Sequence, residues 1–236
     1  MEHVKSSRDA PRRRPARPAR PARALPHADP LAETPSRLVQ RVFTALLANR
    51  LSREHLSARR LSAFLGRSTI GLYHHFGSLD GFLIQVDGLG WQQLLGELER
   101  AASNGKRRDG SFDAEGALRA VALGYVDFAN RYPCLYWLMT ARPFDRAALR
   151  KAGRLRLETP LLLGFSKLLA ACGSAEPETD LILAFSALHG LVNLVEGGRL
   201  NLGQEKDSRA RVQHTVVRLA ALLTRPAAPR APFTAT

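Results

Sequence analysis

The chain has 236 residues, and a hydrophobic content of 45% is enough for one large or two small domains with a buried core, which excludes disorder as a whole. A formal charge of +14 points to an anionic partner, nucleic acid first and an anionic membrane surface second. Two cysteines in apolar settings, Cys134 and Cys172, exclude a disulfide framework or a zinc site and read as reduced core thiols.

Met1 to about Glu33 is a Pro/Arg-rich segment whose PRRRPARPARPAR run repeats a three-residue unit, the composition of a disordered or polyproline-like arm. Through Arg37 there are nine Lys/Arg and four Asp/Glu, so most of the positive charge lies beyond the arm. Such an arm suits phosphates or a minor groove, although a solvated extension is the plainer reading. Thr34-Pro35 then reads as an N-cap followed by proline at the first helical position. Leu38, Val39, Val42, Phe43, Leu46 and Leu47 recur at helical spacing up to Asn49.

The stretch Ser57 to Phe76, SARRLSAFLGRSTIGLYHHF, predicts a helix-turn-helix. Ser57 caps a short helix with Leu61, Phe64 and Leu65 on one face, Gly66 supplies a left-handed turn, and Ser68 caps a second helix. In the second helix Ile70, Leu72 and Phe76 offer apolar surface, while Thr69, Tyr73 and His74 keep polar tips that can face outward. A plain helical hairpin would show the same caps. If DNA is the partner, Ser57 and Ser68 cap, while Arg59, Arg67, Tyr73 and Ser78 are placed to hold the phosphate backbone. Thr69, Ile70, Gly71 and His74 occupy the base-facing side.

Gly77 and Ser78 close that helix and cap a long one, with Phe82, Leu83, Val86, Leu89, Leu94 and Leu98 as its apolar set up to about Ala102. Gly81, Gly88, Gly90 and Gly96 argue against its straightness. Ser103 to Gly110 is a loop by composition. Helical pattern resumes with Leu118, Val121, Tyr125 and Phe128, stops near Pro133 and restarts through Leu135 to Ala141. Further helices run from about Asp145 to Glu158 and from Leu161 to Ala171, broken at Pro160, with a turn at Gly173 to Pro177.

Two final stripes, Leu181, Phe185, Leu188, Val192 and Val195, then Val212, Val216, Leu219 and Leu223, flank a Gly197 to Ser208 connection. Two long apolar helices are more than one small domain can cover, which points to a second copy across Leu181, Phe185, Leu188, Val192, Val212, Val216, Leu219 and Leu223. Intramolecular core is the plainer alternative. Leu181 to Val195 is broken by Ser186, His189 and Asn193 and so falls short of a membrane span. No secretory h-region follows the N-terminus, and the expectation is a cytoplasmic protein without membrane contact. Pro226 onward reads as a loose tail.

Ser57, Leu61, Gly66, Ser68, the run Leu72-Tyr73-His74-His75-Phe76, Ser78 and Phe82-Leu83 together resemble the DNA-binding domain of the TetR family of transcriptional regulators. The resemblance implies that Tyr73 contacts phosphate, that Thr69 and His74 contact or approach bases, and that His75 supports the packing of the helix. It also places Leu79 where a phosphate-contacting lysine is usual; Arg59, Arg60, Arg67 or the arm are the candidates to compensate. Tyr125 to Ala129, Tyr132-Pro133, Leu135-Tyr136, Leu138-Met139 and Leu188 to Leu191 are similar to a regulatory-domain subclass named for a tryptophan and a histidine-glycine pair. Phe185 stands near the expected tryptophan.

The expected fold is all-α. A basic arm (1–33) precedes a three-helix DNA-binding domain (34–83, with the helix-turn-helix at 57–76); a helical ligand-binding and dimerisation domain (84–225) and a tail (226–236) follow. Trp91, Tyr125, Phe128, Trp137, Phe165 and His189 are candidates to line an effector pocket, though each also reads as core. No phosphate loop, nucleophile elbow, HExxH or CxxC occurs, so neither enzyme chemistry nor a metal or cofactor is expected. The expected activity is repression by a homodimer on a palindromic double-stranded operator, with release by a small-molecule effector implied by the resemblance. The alternative is a basic architectural protein that binds DNA without sequence choice.

Overall fold

The computed structural model describes residues 34–107, 109–152, 159–199 and 205–224, with 159–161 and 205–209 as backbone alone. Its helices begin where the local chemistry says they should. The Ser57 hydroxyl accepts from the Arg60 N–H at 3.4 Å, Ser68 from Gly71 at 3.0 Å and Ser78 from Gly81 at 2.9 Å. Asp113 and Asp145 do the same for later helices. Each cap satisfies an amide that the helix leaves open, worth about 1 kcal/mol. Thr34 makes no such bond; the first helix starts on Pro35 alone, whose fixed φ suits that position.

Ten α-helices result among the described residues: α1 (Pro35–Leu47), α2 (Ala58–Leu65), α3 (Thr69–Phe76), α4 (Leu79–Ser103), α5 (Ala114–Arg131), α6 (Pro133–Thr140), α7 (Arg146–Lys151), α8 (Thr159–Ala171), α9 (Pro177–Glu196) and α10 (Glu205–Leu223). A 3-10 turn, Arg53–His55, precedes α2. The one β-type pairing among them is an isolated Lys106–Phe112 bridge across the predicted loop. The fold is all-α, as the sequence predicts. Of the helix expected from Asp145 to Glu158, α7 covers the first part, and the remainder, like the arm and the tail, lies outside the described residues.

The 25-residue α4 and its neighbour α5 form the axis of the molecule. Phe82, Leu83, Val86, Leu94 and Leu98 of α4 are buried, and α5 packs in turn against α6, α8, α9 and α10. The boundary expected at 83/84 falls inside α4, and one cluster of buried side chains runs from Leu38 in α1 to Val216 in α10. The glycines do not interrupt α4. A Cβ on Gly81 would lie 2.1 Å from the Phe76 carbonyl oxygen, and one on Gly90 would lie 2.6 Å from the Met139 sulfur, so both are sites of close approach.

The apolar stripes at the end of the chain are covered from within. Leu181, Leu188, Val192, Val212 and Val216 are buried in a single copy, and Phe185, Leu219 and Leu223 pack half-buried on the same clusters. Five of the eight residues expected at a dimer interface are thus already buried within one copy, because α5 lies against both α9 and α10 and takes up the stripe. The apolar residues left outward are Ile182 (67% exposed), Leu183 and Leu194 on α9 and Leu222 on α10. As a helix of 20 residues with mean hydropathy 1.3, α9 has the length and composition of a membrane span even though its unbroken apolar run is short.

Gly81→Ala should destabilise the fold by about 1–3 kcal/mol, because the obstructing atom is backbone. Gly96→Ala, with nothing within 4 Å of a new Cβ, should stabilise it by about 0.5–1 kcal/mol. Urea denaturation of the two variants checks both signs.

Candidate nucleic-acid interface

The reading unit is held from behind. Leu61 and Leu65 of α2 and Leu72 of α3 are buried with Leu38, Val42 and Leu46 of α1, and the Phe76 ring meets Phe82 edge-on at 4.9 Å. Gly66, at φ +65°, makes the left-handed turn that sends the chain from α2 toward α3. With Leu72 as its single fully buried residue, α3 turns most of its eight residues outward. Ile70 is 82% and Tyr73 41% exposed, His74 is exposed, and Thr69 and Gly71 are partly so. Ser57, Arg59, Ser68 and Ser78 are exposed and Arg67 is half-buried. Among the described residues neither Arg59 nor Arg67 has a carboxylate partner, whereas Arg60 pairs with Glu54 at 3.1 Å.

Three side chains depart from the sequence reading, and Leu79 gains a role. Phe64 is 39% exposed and lies under Arg41, whose guanidinium carbon is 6.0 Å from the ring centre, so α1 covers it with a cation instead of core. Ile70 faces outward and adds nothing to the apolar surface beneath α3. His75 is exposed, with only ring edges of His74 and Phe76 beside it, which does not match a packing role. Leu79 packs half-buried on the core, so the position of the usual phosphate-contacting lysine serves packing.

Polar contacts tie this unit to the helices behind it. Asn49, at φ +52°, donates from its amide to the Arg131 carbonyl at 3.0 Å. Arg53 pairs with Glu196 at the end of α9 and lies 5.2 Å over the Trp137 ring. Asp80 accepts from the Arg142 guanidinium at 2.7 Å and from the Asp145 N–H at 3.0 Å. Burial alone would raise the Asp80 carboxyl, but the Asp145 N–H and the Arg142 charge outweigh it and hold the group below its ordinary value. These contacts bridge partners 62 to 143 positions apart, and no local pattern announces them.

The regulatory half carries a polar chain that runs from buried Tyr125 and Tyr136 through half-buried His189 to exposed Asn193. The Tyr125 and Tyr136 hydroxyls are 3.0 Å apart, the Tyr136 hydroxyl is 2.7 Å from His189 Nδ1, and the Asn193 amide is 2.9 Å from His189 Nε2. With the Asn193 N–H donating to Nε2, the neutral ring carries its proton on Nδ1 and donates it to the Tyr136 oxygen. Burial pushes the His189 pKa down and the Tyr136 pKa up, so both stay neutral near pH 7. Phe185 stacks flat on His189 with ring centres 6.0 Å apart. Beside this chain a crevice between α5, α8 and α9 is lined by Tyr125, Leu162, Phe165, Leu181, Ala184, Phe185 and Leu188, with a free volume of about 10 Å³. That is room for one water at most, and a drug-sized ligand would need the helices to part.

Of the expected pocket residues, Tyr125 and Phe165 line the crevice, and His189 reaches it through Phe185 and Tyr136. Trp91 and Phe128 are buried elsewhere in the core, and Trp137 serves the contact with Arg53. Their aromatic rings go to packing, and none of the three lines the crevice. Burial also raises the Cys134 thiol to about 11, so it stays protonated, in keeping with a core thiol.

Residues 118–219 match the family model described as "Tetracyclin repressor-like, C-terminal domain". That span holds the residues from Tyr125 to Leu191 that carry the regulatory-domain resemblance. A protein with unknown function from Rhodococcus sp. RHA1 has a similar fold, with 22% identity, a TM-score of 0.55, and 81% of this chain and 98% of that one covered. So does SCO4313, described as a candidate regulatory protein, at 16% identity and a TM-score of 0.53, with 78% and 97% covered. A TetR variant from Acinetobacter baumannii AYE in complex with minocycline aligns at 16% identity and a TM-score of 0.49, covering 79% of this chain and 93% of that one. No curated protein matches the chain in sequence.

A capped helix-turn-helix ahead of a helical regulatory half is the build of a DNA-binding regulator. Residues 118–219 are similar to the C-terminal domain of tetracyclin repressor-like proteins, and the helix-turn-helix stands ahead of them in the same chain.

Asp80→Asn should lower stability at pH 7 by about 1 kcal/mol, the scale of a partly exposed ion pair. Because folding lowers the Asp80 pKa, its contribution is complete above the unfolded value of about 3.9 and is lost as pH falls through the folded one. Thermal melts of the two proteins should therefore differ at pH 7 and converge near pH 2.

Proposed function

We propose that this regulator is a repressor: a homodimer sets two copies of α3 in successive major grooves of a palindromic operator, and a small apolar effector releases it. The observation that carries the reading is α3 itself, capped at Ser68, held by Leu72 and presenting Thr69, Ile70, Tyr73 and His74 outward. Ser57, Ser68 and Ser78 end in hydroxyls that can donate to phosphate while capping, and Arg59 and Arg67 supply cations beside them. Two reading heads must sit one helical turn apart, which requires a two-fold partner. The outward Ile182, Leu183 and Leu194 of α9 with Leu222 of α10 give that partner an apolar surface.

An effector would enter between α5, α8 and α9 and displace Phe185 or Phe165, favouring the form whose reading heads no longer match the operator. Nothing in this reading needs a cofactor, a metal or a catalytic group. The net charge of +14 and the Pro/Arg arm are what an architectural DNA-binding protein would also carry, so sequence preference decides between the two.

Electrophoretic shifts with the DNA flanking the protein's own coding region should show a preference over random duplex of about a thousandfold or more, kept after removal of Met1–Glu33. Equal binding to both duplexes, lost on truncation, would establish the architectural reading instead. In the same assay Arg59→Ala should weaken binding on every duplex and reduce the salt slope by about one unit. For assembly, Leu183→Glu should convert a dimer to a monomer by sedimentation while helical circular dichroism persists; an unchanged sedimentation coefficient would place the interface elsewhere.

A further inference from the structure

The helix α3 lacks the side chains that recognise a base through two hydrogen bonds at once. Its eight residues, TIGLYHHF, contain no arginine, lysine, asparagine or glutamine. Those are the side chains that pair bidentately with guanine or adenine in the major groove, so discrimination along α3 must come from something else. Meanwhile Ile70 leaves 82% of its surface in water, more than any other large hydrophobic among the described residues. It stands in the first turn of α3, the end that meets base edges in helix-turn-helix docking. Leu72, two residues on, is buried, and a two-residue step along a helix turns a side chain to nearly the opposite side, so Ile70 points away from the protein. Gly71 beside it has no side chain to hold a surface off. Nothing in the packing of the head accounts for a branched aliphatic here.

The major groove offers one apolar feature at standard bases, the C5-methyl of thymine. We propose that Ile70 is a specificity-determining residue that reads a thymine methyl in each operator half-site, so that this position separates thymine from cytosine by apolar contact and not by hydrogen bonding. The proposal rests on the DNA-binding reading above and adds which feature of the operator is recognised. Thr69 and His74, flanking on the same face, offer single donors or acceptors and a methyl, and they orient the helix without reproducing a bidentate pair.

Uracil differs from thymine only by the missing methyl, which makes the test direct. A duplex enriched by the full-length chain from a random-sequence library is resynthesised with each thymine of one half-site replaced singly by deoxyuracil. Affinities are then measured for wild type, Ile70→Val and Ile70→Ala. At one thymine the replacement should weaken wild-type binding about fourfold, the worth of one buried methyl. The thymine-to-uracil ratio should fall for Ile70→Val and reach one for Ile70→Ala. Equal melting temperatures confirm that the variants fold, as expected for a side chain this exposed. A wild-type protein indifferent to uracil at every thymine would overturn the proposal. So would a preference for thymine that survives in Ile70→Ala. Failure of the library to yield any enriched sequence would overturn the sequence-specific reading itself, a result distinct from either.

Discussion

Phe82 has no exposed surface, and its ring meets Phe76 at the last residue of α3. On the same α4, Leu98 is buried against α5, where a Cβ on Gly124 would come within 3.2 Å of it. One helix thus has its first turn in the core beneath the reading helix and its last turns in the core of the regulatory half. A long helix curves gently around its core but kinks sharply only at a proline, a bulge or an inserted group, so its two ends keep a set relation to each other. The position of α3 is therefore set by how α4 lies on α5, and every other contact adjusts that relation.

The polar contacts reinforce it from the sides. Asn49 reaches the end of α5, Asp80 reaches the segment before α7, and Arg53 reaches the last residue of α9. The last of these matters for coupling. In the middle of α9 Phe185 lines the crevice and stacks on His189, and at its end Glu196 pairs with Arg53, so one helix touches both the crevice and the segment before α2. The Tyr125, Tyr136, His189 and Asn193 chain holds α5, α6 and α9 in one register, and a guest entering the crevice would have to disturb it. Surface ion pairs are weak individually. Their value here is positional, since they fix how the head sits on a core that already joins it to the rest.

Exposed surface divides into two chemistries. At the head, α3 presents one aliphatic, one phenol and imidazoles, flanked by arginines with no carboxylate partner among the described residues. On α9 the outward face carries Ile182, Leu183 and Leu194, and near the end of α10 Leu222 adds to it beside exposed polar residues such as Arg211, His214 and Arg218. The former suits a groove lined by phosphates and the latter a second protein surface, so the two proposed partners do not compete for the same side chains.

What the sequence determined by itself was local. Serine or aspartate three residues ahead of an amide, glycine where the chain turns left-handed and apolar spacing of three to four residues are decided within one or two turns of helix, and so α2 to α4 lie where Ser57, Gly66, Ser68 and Ser78 predict. The tertiary structure decided which buried stripe meets which neighbour. Periodicity says that Leu188 and Val216 face something apolar, but a second copy and α5 satisfy the same pattern, and only the packed chain shows that α5 is the cover. Trp137 could not be told from a pocket residue without Arg53 above it, and Phe64 could not be told from core, because an apolar side chain carries no record of whether its surroundings arrive from elsewhere in the chain.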